Sequence, residues 1–214
     1  MKTIVPRMIL VSLLAATMPL MSAPSDAEAT AQLRAAGAQA PDTFRFEITT
    51  MRARVGVALQ KLQLLQKNDA DLPALFKDYR AEVTEMAKLG TQTASRAEEM
   101  KKQDMAFFRA WEQRADTILD PEIQKLARGR YDRRLKSYRK MVASMEEVRL
   151  EFVPFLDSLR DIEKLLASDL SRNSIQSAQK FFRAVRLKGA DLEDDLYDVI
   201  VEEGRVAAEF GRYQ

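Results

Sequence analysis

The side chains of this sequence that could carry chemistry are carboxylates, thioethers and cationic groups, because it contains neither histidine nor cysteine. Without those two residues the usual zinc and haem ligand sets cannot form. Ser-His-Asp and Cys-His nucleophile systems are equally out of reach. A carboxylate-bridged di-iron centre, the familiar cargo of a four-helix bundle, is normally built with Glu-x-x-His pairs and falls with them. No glycine-rich phosphate or dinucleotide loop is present. Two carboxylates, Asp104 and Glu203, occupy positions where the surrounding pattern calls for an apolar residue. Paired acids in a shaped cleft can do acid–base work, but a polar residue on an apolar seam more often sets register or faces a gap. The methionines raise the idea of a soft copper site. Beyond residue 27, however, Met51, Met86, Met100 and Met145 fall on apolar seams, where filling gaps is their ordinary role, and only Met105 and Met141 lie off them. The expectation is no catalytic residue, no metal, no cofactor and no enzymatic activity.

Two charge runs remain. Lys125, Arg128, Arg130, Arg133, Arg134, Lys136, Arg139 and Lys140 face a single acid, Asp132, between positions 125 and 140. Between Asp191 and Glu203 there are seven acids and no base. If the segments bearing them are antiparallel about residue 172, residue 140 meets residue 204 and the edges of the two runs complement one another. Exposed pairs of that kind are each worth about 0–1 kcal/mol, yet they can fix register. The functional alternative is a cationic surface for an anionic lipid headgroup or an acidic protein partner. Phe107, Phe108 and Trp111 would add an exposed aromatic face beside Lys125, Arg128, Arg130, Arg133, Arg134 and Lys136 if the bundle is thin at that end. No base-stacking motif accompanies the basic run, so nucleic acid is not an expected partner. Protein partners or self-association are.

The elements that must hold these residues are helices. Gly and Pro number seven each, too few for a turn-rich β-protein. Tyr131, Leu135, Tyr138, Val142, Met145, Val148, Phe152, Phe155, Leu159, Ile162 and Leu166 recur at steps of three and four, with one short step near the middle. This third helix opens at Asp120-Pro121 and runs to about residue 170, kinked or broken at Pro154. A first helix is expected from Asp42, carrying Phe44, Ile48, Met51, Val55, Ala58, Leu62 and Leu65. A second follows Asp71 and Pro73 to about Leu119, its seam weakening to Gly90, Thr93 and Ala97. Those small residues mark either a close approach of a neighbouring backbone or a soft point. After the corner at 171–174, a fourth helix carries a seam from Ile175 to Tyr213, unless Asp191 caps a fifth. Short corners force neighbours antiparallel. The expected fold is all-α, an elongated antiparallel, coiled-coil-like bundle of about four long helices. It forms a single domain over 42–214, four helices thick at one end and three at the Asp120 corner.

The run FFRAWEQ, the corner DPEIQ and the segment RYDRRLKSYRKMVASMEEVRLEFVPFLDSLRD, within residues 107–161, resemble the bacterial family of domain of unknown function 2959. The likeness extends more loosely over about residues 43–213. It implies an exported, all-helical protein and brings no activity.

Ahead of the bundle, Lys2 and Arg7 precede the mostly apolar segment 8–21, which is short for a bilayer span and interrupted by Pro19. Residues 1–27 therefore read as a secretory signal, cleaved after Ala27 or Ala29, with an uncleaved anchor as the alternative. Residues 28–41 read as a flexible lead-in. Cleavage after Ala27 would remove Lys2, Arg7 and Asp26 and lower the net charge from +2 to +1. The expected address is the periplasm, without a lipid anchor on cysteine. A non-catalytic interaction or scaffold protein of the cell envelope is the first functional expectation, and a peripheral lipid-binding protein using the basic stretch is the second.

Overall fold

The computed structural model describes residues 26–67 and 71–211, and the side chains of 43–67 and 71–208. The expected signal segment lies, up to residue 25, outside the described residues. The chain forms α1 (Asp26–Lys67), α2 (Leu72–Asp116), α3 (Pro121–Ser168), α4 (Arg172–Ser177) and α5 (Gln179–Gly211), and no strand among the described residues. α2 and α3 have 45 and 48 residues, so each is about 70 Å long at about 1.5 Å per residue. Around the bundle α1 packs on α2, α2 on α3, α3 on α5 and α5 on α1, while the backbones of the diagonal pairs stay more than 8 Å apart. Each neighbour runs antiparallel, as short corners require.

The corners form where the local chemistry provides for them. Asp71 takes a left-handed conformation (φ 52°) and accepts from the Ala74 backbone N–H at 3.1 Å, while Pro73 sits in the first turn, where its missing N–H goes unused. Asp120 caps α3 by accepting from the N–H groups of Glu122 and Ile123 at 2.9 and 3.0 Å, with Pro121 first in the helix. Ser171 caps α4 through the Ser174 N–H, and the Arg172 guanidinium donates to the last carbonyls of α1, Leu65 (3.0 Å) and Gln66 (3.4 Å).

Several sequence expectations are corrected. Helix α1 starts at Asp26, not Asp42, so the Ala-rich stretch 28–41 is helical. Alanine has the highest intrinsic helix propensity, and that suffices without an apolar seam. With 42 residues, α1 is close in length to α2, while the described core at the Asp120 end draws its residues from α2, α3 and α5. At Pro154 only the alternative of a break is corrected, since α3 is one continuous helix through it. The last segment is interrupted, but at Ala178 rather than Asp191. In RNSIQS the short polar side chains compete with the helix ladder, as when the Ser177 hydroxyl donates to the Asn173 carbonyl at 2.8 Å. Met141, placed off the seam by its spacing, is buried, while Val142 is only half-buried. Taking Met141 in place of Val142 moves the doubled three-residue step of the α3 pattern towards the N-terminus, to Leu135–Tyr138–Met141.

The core has two parts. The larger runs from the α1–α2 corner to the level of Phe44, Met100 and Val148. It contains the buried Tyr79, whose hydroxyl donates to the Leu159 carbonyl at 2.7 Å. The smaller lies towards the α2–α3 corner around Phe108, Leu135, Tyr138 and Met141. At Gly189, α5 comes close to both neighbours: a Cβ there would stand 2.8 Å from Leu59 Cδ1 and 3.0 Å from Phe155 Cε2. Gly189→Val should destabilise the bundle by about 2 kcal/mol, overpacking outweighing the helix propensity gained. The shift of the urea midpoint at constant slope measures this; an unchanged midpoint would show that α5 can step back freely.

Candidate functional site

Where the two parts of the core meet, the second helix runs short of side-chain volume. Gly90, Thr93, Ala94 and Ala97 face Met145, Val148, Phe152 and Ala143 of α3, and between them lies a half-open cavity of about 370 Å³. Phe44, Ile48 and Met51 of α1 and Val199 of α5 form its floor. The small residues singled out in the sequence thus mark a void rather than a close helix approach, except at Gly90, where a Cβ would overlap the Phe152 ring. Four methionines, Met51, Met100, Met141 and Met145, line the space, and their flexible thioether side chains suit an adaptable apolar wall. Charged residues stand along the α2–α3 rim: Glu98 and Lys101 on one side, Arg139, Glu146 and Arg149 on the other, with Arg149 paired to Glu146 at 2.6 Å.

Asp104 and Tyr138 form the polar end of this cavity. The Tyr138 hydroxyl is buried and approaches the Asp104 carboxylate without reaching full hydrogen-bonding geometry. Burial raises Asp104 from the ordinary 3.8 to about 6, against the opposing pull of the Tyr138 hydroxyl. The same burial, with the negative charge of Asp104 beside it, pushes Tyr138 upward. Glu203, the other acid on a seam, is buried on α5 with its Oε2 3.7 Å from Arg45 Nε of α1. The two seam carboxylates therefore serve different helix pairs and form no acid–base dyad.

A second hydroxyl is open to the cavity. Thr84 and Thr91, on the outside of α2, return their hydroxyls to carbonyls one turn back, at 2.9 and 3.1 Å. Thr93, only 6% exposed, makes no such bond and leaves Oγ1 without a partner.

The residues expected to form a binding surface divide into two groups. Lys125, Arg128, Arg130, Arg133 and Lys136 are exposed on α3. Arg134 is half-buried, its guanidinium 4.9 Å from the centre of the Trp111 ring. Arg128 pairs with Asp116 at 2.7 Å and Lys140 with Glu202 at 2.6 Å, the latter bringing the edges of the basic and acidic runs together. Among the described residues Lys125, Arg133 and Lys136 have no ion-pair partner. The aromatics do not form an exposed face. Phe108 is 2% exposed and Phe107 and Trp111 are half-buried, because they pack with Tyr131 and Tyr138 (Phe108–Tyr138 centroids 5.2 Å apart) and with Val206 of α5. The exposed apolar residues at this end are others: Leu119 (97%), Ile123 (56%) and Leu126 (56%). Their signal in the sequence is that they precede the α3 seam, which starts only at Tyr131.

Fold and site together define an all-α antiparallel bundle with an apolar cavity at mid-height and a basic, apolar-tipped end. The chain belongs to the protein family of unknown function DUF2959, whose profile matches residues 47–208. No curated protein and no solved structure matches it. Among the described residues no helix is long and apolar enough to cross a membrane.

Asp104 ties stability to pH. Because the folded state holds this proton more tightly than the unfolded chain, its contribution is complete below about pH 4 and is lost as the pH rises through about 6. Asp104→Asn should be more stable than the parent at pH 7.5, by on the order of 1 kcal/mol for a partly screened carboxylate, with little difference at pH 4. Urea titrations at the two pH values check the sign. Thr93→Val should stabilise by about 1 kcal/mol by removing an unpartnered hydroxyl, measured as a raised melting temperature.

Proposed function

We propose that this protein is a non-catalytic interaction or scaffold bundle of the cell envelope, exported to the periplasm, that works through the end carrying the α2–α3 corner. The observation that supports the reading best is the exposure of Leu119, Ile123 and Leu126 beside the exposed Lys125, Arg128, Arg130 and Arg133. Apolar side chains at a helix corner, rimmed by cations, suit contact with a partner or an anionic layer better than they suit water. The secretory pattern of residues 1–27 supports the address.

Fractionation of intact cells checks the address: the chain should leave the cell on osmotic shock with Glu28 or Thr30 as its first residue. Full-length protein retaining Met1 in the membrane would overturn that part. For the contact surface, a photo-activatable side chain at Ile123 should give one discrete cross-link in intact cells, and the same group at the exposed Leu187 of α5 should not. Equal labelling from both positions would sink the proposal.

The second reading, an anionic lipid surface, is favoured by the same mixture of apolar and cationic groups. Sedimentation with anionic vesicles should be salt-sensitive and should fall at least several-fold when Lys125, Arg133 and Lys136 are together replaced by Glu. These three have no ion pair to break among the described residues, so an unchanged melting temperature is expected alongside.

A further inference from the structure

We infer that the mid-bundle cavity is a binding site for one unbranched hydrocarbon chain of a single-chain amphiphile, with the polar head at the Asp104–Tyr138 end. This goes beyond the contact role proposed for the α2–α3 corner and does not depend on it.

Shape comes first. The lining extends from Gly90 to Asp104 along α2, about 21 Å at about 1.5 Å per residue, and from Phe152 back to Tyr138 along α3. A volume of about 370 Å³ spread over that length is a narrow channel, wide enough for one chain and too thin for a compact ring system. One end is stopped by the Phe152 ring over Gly90. The other end holds a carboxylate, a phenol and the cations Lys101 and Arg139.

Chemistry is the second ground. A wall built largely of methionine, alanine and aliphatic side chains gains from an apolar occupant, since each buried methylene contributes favourably. Water fits it poorly, because an ordered water needs two to four polar partners and the interior of the channel provides few. Yet the channel is not purely apolar. The Tyr138 hydroxyl, on a residue 3% exposed, stands in its wall beside Asp104 and short of full hydrogen-bonding geometry with it. Buried hydroxyls are nearly always paired in a finished core. A phenol left short of that beside a buried carboxylate, at one end of the cavity, suits an occupant that brings a polar head to this end and a chain to the rest. The rim carries both signs of charge, so the head it admits is small and hydrogen-bonding rather than a large multiply charged group.

The amphiphile could be a free fatty acid or a monoacyl lipid, and both present the same chain. The test is calorimetric titration of the full-length protein with dodecanoate below its micelle concentration, and separately with dodecanoyl lysophosphatidylglycerol. One saturable site per chain is expected for at least one probe, and the probe that binds names the source. Ala97→Phe and, from the opposite wall, Val142→Phe fill the channel. Each should weaken binding at least tenfold while melting no lower than the parent, and Leu187→Ala on the outside of α5 should bind normally. If one filled variant fails to fold, the other carries the comparison. The inference is overturned if the parent binds neither probe saturably. It is overturned equally by uptake of many molecules per chain, or by a folded filled variant that binds as the parent does.

Discussion

Four long helices joined by tight corners cannot adjust their separation at one level without changing it at every other. Everything in this bundle follows from that stiffness. Where a seam has the right volume, the core is closed: Tyr79, Phe155, Leu159, Phe182 and Leu192 are fully buried. Where α5 carries Gly189, the missing side chain is taken up by Leu59 and Phe155 reaching in from either side. Where α2 carries Thr93, Ala94 and Ala97 in succession, nothing opposite is long enough, and the helices are held apart by the closed core on one side and the aromatic cluster on the other. The deficit becomes a channel because the axes cannot collapse into it, which is the general reason interior voids persist in well-packed proteins.

The same constraint explains which features were legible in the sequence. Corners were, because Asp71, Asp120 and Ser171 are capping residues whose role is decided within three residues of chain. The seams of α1, α3 and α5 were too, since a three–four spacing of large apolar residues has few other uses. The weak seam at Gly90–Ala97 was visible as a deficit, but its meaning depended on what α3 placed opposite, and no local pattern carries that information. Asp104 was visible as an acid in an apolar register, while its contact with Tyr138 is a tertiary fact. The start of α1 was misjudged because alanine is a strong helix former that leaves no amphipathic trace. Val142 was preferred to Met141 because a methionine one position off a seam reads as surface until the helix is seen to rotate it inward.

The exposed end illustrates the opposite error. The aromatic residues suggest a surface by their place beside the basic run, and the structure uses them as the small core that holds α2 to α3, with Arg134 lying over Trp111. The apolar residues left in solvent are plain aliphatics at the corner itself. Large rings bury the most area per residue, so a short-handed core recruits them first.

The closed ring of helix contacts also bears on the order in which the chain can fold. The pairs α1–α2, α2–α3 and α3–α5 are hairpins between neighbours in sequence. The contact of α1 with α5 joins segments well over a hundred residues apart, as in the pairing of Arg45 with Glu203. Loop closure of that length carries an entropic cost that local hairpins avoid. The first three helices can therefore assemble as an open trough, its long apolar inner face in water until α5 arrives to close two sides at once. Because α5 follows the other three long helices in the chain, the trough stays open until α5 has been synthesised. The dense acidic run on α5 then has a kinetic use: it keeps the closing helix soluble and draws it to the cations of α3 and α1, with Lys140 and Arg45 waiting at the end where it must register.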